Sequence, residues 1–251
     1  MRLGSNNVSL GLCLELYAYI LITNSLKPQG IGPGLTLQYD PFVMCLSNLG
    51  AYATFGTMFG YCHGLLELIP QVTLFASERL VEEDAGLIMP SDHLHEMRAV
   101  LENKINIWQL PDTFAGDEHD YRMATSASTA LRASLHIYLA TAIAGSLVSD
   151  VETRAAIQVY IDAIMFAVHE IGESPWATIS LWPLTIAGSC MMDSNQRRRL
   201  VHQLRTSRFR MGHVFAVCEV LELLWETDDP RAFGPYGLFL MEQKGFCVPL
   251  L

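Results

Sequence analysis

Apolar residues along this chain recur at intervals of three and four almost everywhere, and stretches that alternate apolar with polar are scarce. The pattern is clearest near the end. Val214, Val217, Cys218, Leu221, Leu224 and Trp225 fall on one helical stripe, and Glu219, Glu222 and Glu226 lie off it. Just before it, Asp193 or Ser194 can cap a helix whose apolar stripe is Leu200, Val201 and Leu204. On that reading Arg197, Arg198, Arg199 and Arg205 mostly face water.

Proline and glycine clusters divide the pattern, because proline lacks the amide donor and glycine is entropically costly inside a helix. They are KPQGIGPG at 27–34, PSD at 90–92, PDTFAGDEHD at 111–120, GESP at 172–175 and TDDPRAFGP at 227–235. The expected fold is all-α, with roughly eight to ten helices joined by short connections. No stretch has the length or low complexity of a linker and no repeat is visible, so the simplest organisation is one helical domain over 1–251 around an apolar core or cavity. The closing MEQKGFCVPLL is apolar enough to dock on the body.

The segment Val8 to Leu26 is the one candidate for a signal or a membrane span. Glu15 sits in its middle, no small-x-small cleavage site follows, and its apolar run is shorter than the roughly 20 residues a span needs. A buried first helix is the expectation.

Composition narrows the function. The chain is 51% apolar and 17% charged, with a net charge of -10 and a pI near 5.2. That balance opposes unspecific attraction to nucleic acid or anionic membrane. Six cysteines at positions 13, 45, 62, 190, 218 and 247 are widely spaced, with no C-x-x-C pair for zinc. They read as buried free thiols of an intracellular protein.

Signatures of common chemistries are missing: no G-x-S-x-G elbow, no phosphate loop, no H-E-x-x-H and no paired-aspartate magnesium motif. The acids at 82–84 and 227–229 fall at helix ends and read as solvated, so neither a metal nor a cofactor is expected. Among the histidines, His93 and His95 near a helix start and His119 in a loop read as surface positions. His63, His136 in LHIYLATAI and His169 beside Glu170 are set among apolar residues. Each is either a hydrogen-bonded core imidazole or a polar group orienting or protonating a ligand in an apolar cavity. His136, His169 and Tyr138 are the candidates to polarise a bound molecule.

Aromatic and sulfur-bearing side chains cluster as Phe55, Met58 and Phe59, as Met165 with its neighbours, and as Trp182, Met191 and Met192. Such residues pack cores, and they also line cavities for bulky apolar ligands because they repack easily. Pro183 fits the first turn of a helix, where its missing amide costs little, and Gly188 permits close packing. The arginines between 197 and 210 have no aromatic platform or recognition-helix pattern beside them, so no direct nucleic-acid contact is expected.

Three segments in order resemble the C-terminal effector domain, or fungal-specific transcription factor domain, of fungal zinc binuclear-cluster regulators. They are FGYCHGLLELIPQVTLFASERL (59–80), ALRASLHIYLATAI (130–143), and the run from WPLTIAG (182–188) through Arg197 to VLELLWETDD (220–229). The resemblance covers roughly residues 55–229. It implies an all-α fold that in some relatives holds a hydrophobic small molecule and couples it to transcription, with other regulatory proteins as partners. The six-cysteine zinc module is not seen in this sequence, so direct DNA binding is not expected of it.

Two functions follow from the resemblance. The first is a stand-alone effector domain, nuclear, that binds a sterol-, terpenoid- or polyketide-like metabolite. The second is a cytoplasmic, cofactor-free enzyme that uses the same cavity to fold a substrate for cyclisation, such as a Diels-Alder reaction, by preorganisation and one or two hydrogen-bond donors.

Overall fold

Short polar side chains set where several helices begin. Ser91 Oγ accepts the Leu94 amide at 3.3 Å, Asp117 Oδ1 accepts the Asp120 amide at 2.8 Å, and Asp193 Oδ1 accepts the amides of Asn195 and Gln196 at 2.9 and 2.8 Å. The sequence left Asp193 and Ser194 open, and Asp193 is the cap. At the other end of a helix, Gly172 takes a φ of 55° and its amide bonds the Val168 carbonyl, the left-handed stop that glycine permits.

The computed structural model describes residues 4–24, 45–52, 54–56, 59–111, 117–147, 151–207 and 212–246. Among them are ten α-helices and no strand: α1 Gly4–Asn24, α2 His63–Leu66, α3 Leu68–Asp84, α4 Asp92–Ile107, α5 Glu118–Ala144, α6 Val151–Ile171, α7 Leu181–Cys190, α8 Ser194–Thr206, α9 Gly212–Glu226 and α10 Gly234–Gln243. Two 3-10 turns, Leu46–Ala51 and Pro175–Ser180, complete the order. The all-α expectation and its helix number hold.

Helix α5 is central, lying along α6 and touching α3, α4, α7 and α10. Its buried face carries Ala124, Ala127, Ala130 and Ala133, small enough to let neighbouring backbones approach. Buried apolar side chains from α1 through α10 join in one contiguous core. In α7 every residue is buried, so it shows no amphipathic stripe. A Cβ on Gly188 would come within 2.7 Å of both Leu200 and Leu221, which is why α8 and α9 pack so closely on α7 there.

A buried charge joins α3 to the next turn. Arg79, 2% exposed, donates to the carbonyls of Leu87 at 3.1 Å and Ile88 at 2.6 Å, and lies 3.6 and 3.4 Å from Glu82 and Glu83. Those carboxylates accept the amides of Ser91 and Ser146. Glu82 and Glu83, read from sequence as solvated, are structural.

Several other expectations need correction. Only one face of α1 is buried, at Ala18, Tyr19 and Ile22, while Val8, Leu10, Leu12, Leu16 and Tyr17 are exposed. Among the described residues no helix is long and apolar enough to cross a membrane. Cys62, Cys190 and Cys218 are buried but Cys13 and Cys45 are exposed, and Cys247 and the KPQGIGPG segment lie outside the described residues. His119 lies in the first turn of α5, not in a loop. Of the closing segment Met241 is buried and Gln243 to Phe246 are exposed, and residues 247–251 lie outside the described residues.

Candidate functional site

The polypeptide leaves an apolar cavity of about 600 Å³ where α1, the end of α6, the 3-10 turn before α7, and α7, α8 and α9 meet. Its size is that of an ordinary small-molecule site. Leu16, Val168, Leu181, Leu184, Leu204 and Val214 supply apolar walls. Tyr19, also on the wall, donates its hydroxyl to the Thr178 carbonyl at 3.0 Å and fastens α1 to the 3-10 turn. Arg199, His202, Gln203 and Thr206 follow one another at helical spacing on α8, and His169, Glu173, Thr178, Ser207 and His213 add to the polar lining.

Ser180 borders this cavity and is 3% exposed, but its Oγ is sealed from solvent and has no hydrogen-bond partner. The local sequence explains why. Ser180 occupies the N-cap position of α7, but its backbone is helical, with φ -76° and ψ -15°, because the 3-10 turn runs straight into the helix. An N-cap side chain ordinarily bonds the amides two or three residues on, and here the third is Pro183, which has none. The hydroxyl is therefore left over.

The residues singled out from sequence do not assemble around this cavity. His169 lines it, exposed at the rim. Tyr138 and Trp182 are buried and stack face to face at 6.3 Å in the core between α5 and α7. The Tyr138 hydroxyl faces Thr73 without a well-formed hydrogen bond, and burial pushes its pKa above the usual tyrosine value. Phe59 and Met191 are core, Phe55 and Met165 pack partly buried against it, and Met192 is exposed. Met58 lies outside the described residues. His136, half-buried, stacks on Tyr160 at 5.1 Å. Phe55 sits 4.8 Å from His63.

Electrostatics follows burial. Desolvation lowers the pKa of His63, His136 and His213, favouring neutral imidazoles. It pushes the thiols of Cys62 and Cys190 up to about 12, which makes them poor nucleophiles. Among the described residues no group of three His, Cys, Asp or Glu could hold a metal ion.

The profile of the fungal-specific transcription factor domain matches residues 10–234, from early α1 to the first residue of α10. The chain belongs to that family. Its membership extends the resemblance seen over 55–229 and links the chain to transcriptional regulation. Neither a curated protein nor a solved structure matches it.

Within this transcription factor domain, WPLTIAG is the buried helix α7, and the arginine after it has a defined place. Arg197, expected to face water, is half-buried: its Nε donates to the Met191 carbonyl at 2.8 Å and its guanidinium lies 5.1 Å from the Trp225 ring. Trp225 Nε1 donates to the Gly188 carbonyl at 2.9 Å. Arg198 and Arg205 are exposed, bonded to Asn195 and Glu222. A second hollow near Trp108 and Arg132 is bordered by Pro111 and Asp117, between which the chain lies outside the described residues.

Proposed function

We propose that this chain is an effector-type domain that binds a bulky hydrophobic metabolite in the cavity between α1, α7, α8 and α9. It acts in transcriptional control of metabolism, in the nucleus and through other regulatory proteins. Family membership supports the regulatory role, and the acidic net charge of -10 disfavours direct contact with nucleic acid. The observation that carries the ligand is the cavity itself, about 600 Å³ with apolar walls drawn from five helices. Water alone gains little from such walls, whereas an apolar molecule gains roughly 25 cal/mol for each Å² it removes from solvent.

Cyclisation in the same cavity is the competing use. Of the donors expected for it, His136 and Tyr138 do not line the cavity and His169 stands at its rim. Binding is therefore preferred.

Nile red, a neutral dye that brightens in apolar surroundings, tests the reading. Its fluorescence should rise saturably with the wild-type protein. Ala177→Trp, which fills the cavity from a half-buried wall position, should weaken uptake about tenfold or more, equal to the roughly 1.4 kcal/mol that a factor of ten represents. Equal uptake by both proteins, or none by either, contradicts it.

A further inference from the structure

Between α3 and α4 the chain turns with its apolar side chains outward. Leu87, Ile88 and Met89 are 49%, 89% and 74% exposed, and none of them belongs to the core. Three consecutive large apolar residues in water are a fault in a fold unless something covers them. The turn that holds them is firmly built. Gly86, at a φ of 87°, ends α3 in a left-handed cap: its amide bonds the Glu83 carbonyl, and the Leu87 amide bonds the Glu82 carbonyl. Arg79 then donates to the carbonyls of Leu87 and Ile88, and Glu82 accepts the Ser91 amide. Burying a guanidinium is costly, and here it fixes the backbone beneath side chains that meet only water. An apolar knob held in shape this way loses little freedom when it docks.

The charge around the knob says what covers it. From Glu78 to Met97 the chain holds six acids, with Asp84, Asp92 and Glu96 exposed among them, no lysine, and the buried Arg79 as its one arginine. Anionic lipid, or a second copy of the same turn, would meet these carboxylates with like charge. We propose that Leu87, Ile88 and Met89 dock into an apolar groove on a partner protein whose rim carries lysine or arginine. The assignment rests on the reading that the domain works through other regulatory proteins, and it names the surface and the chemistry of the partner. It does not involve the cavity, which none of the three residues lines.

The probe is a fluorescein-labelled amphipathic helix of leucine and lysine, about 18 residues long, which offers an apolar strip edged by cations. Its anisotropy should rise saturably with the wild-type protein, and a counterpart with glutamate in place of lysine should bind at least about tenfold more weakly. Ile88→Ser and Met89→Ser together should weaken the lysine peptide about tenfold, with Tm and Nile red uptake as in wild type. Ile107→Ser, which removes an exposed apolar side chain at the far end of α4, should leave its affinity within about twofold. Unchanged affinity in the double variant would show attraction to the acids alone and overturn the knob. Equal binding of the two peptides overturns the basic rim, and binding of neither overturns the whole assignment. Vesicles of phosphatidylcholine and phosphatidylserine should not bind; binding that the double variant loses would make the occupant a membrane and overturn the protein groove. Failure of Nile red to bind wild type would sink the cavity and leave this surface standing, so the two readings fail by different results.

Discussion

Arg79 is 2% exposed and Ser180 is 3% exposed, and the protein surrounds them in opposite ways. Around Arg79 two carbonyls and two carboxylates close in, and these in turn hold the amides that begin α4 and follow α5. Around Ser180 there is an apolar cavity and no partner for the hydroxyl. The terminal nitrogens of Arg79 are met by acceptors and only its Nε is left without a partner. An unmet donor costs about 1–3 kcal/mol. Ser180 carries that cost uncompensated, since its Oγ is sealed from solvent and meets no acceptor.

The largest effect on stability is expected at Arg79. Arg79→Ala leaves Glu82 and Glu83 without their cation and the 87–88 carbonyls without donors, and should cost about 3 kcal/mol in urea unfolding. Nile red uptake by the folded fraction should not change, because Arg79 does not line the cavity. A loss below about 1 kcal/mol would show that the Arg79 network is ornamental.

Next in size is the packed end of α7, opposite the end where Ser180 stands. Gly188→Ala places a methyl within 2.7 Å of Leu200 and Leu221 and should cost about 2 kcal/mol, read as a shifted denaturation midpoint. Trp225→Phe removes the donor to the Gly188 carbonyl and shrinks the ring beneath Arg197, and about 1 kcal/mol should be lost. If both variants were as stable as wild type, α7 would not be the rigid wall that the cavity requires.

The smallest effect on stability is expected at Ser180. Ser180→Ala removes a hydroxyl that bonds nothing, so stability should stay within about 0.5 kcal/mol of wild type or rise slightly. A loss of more than about 1 kcal/mol would mean that Ser180 serves the fold as Arg79 does.

Much of the scaffold was legible because its causes are local. The apolar spacing of Leu200, Val201 and Leu204 and of the α9 stripe returned as buried faces, and Asp193 capped where an aspartate before an apolar run should. Gly188 packed closely, as the small residue in WPLTIAG suggested. Arg79 was invisible for the opposite reason. Within FASERLVEED it looks like part of a wet face, and its burial depends on carbonyls eight and nine residues on, in a turn that has no period.

The cavity was hidden by distance in the chain. Its walls come from residues 16 to 214, and they are leucine, valine and histidine of the kinds found everywhere in the sequence. The clusters of methionine and aromatic residues that stood out, such as Phe59, Trp182 and Met191, stood out because they fill the core. Ser180 carried one local sign. A serine three residues before a proline at a helix start loses one of the amides it could have capped.

The cavity is probed by thermal unfolding of wild type and Ala177→Trp, each with and without Nile red at about 100 times its dissociation constant. Binding to the native state alone at that concentration adds about 2.7 kcal/mol, so the wild-type Tm should rise by about 5 °C or more. The filled-cavity variant should show little or no rise. An equal rise in both proteins, or no rise in the wild type, would contradict the claim that this cavity is where the domain receives its ligand.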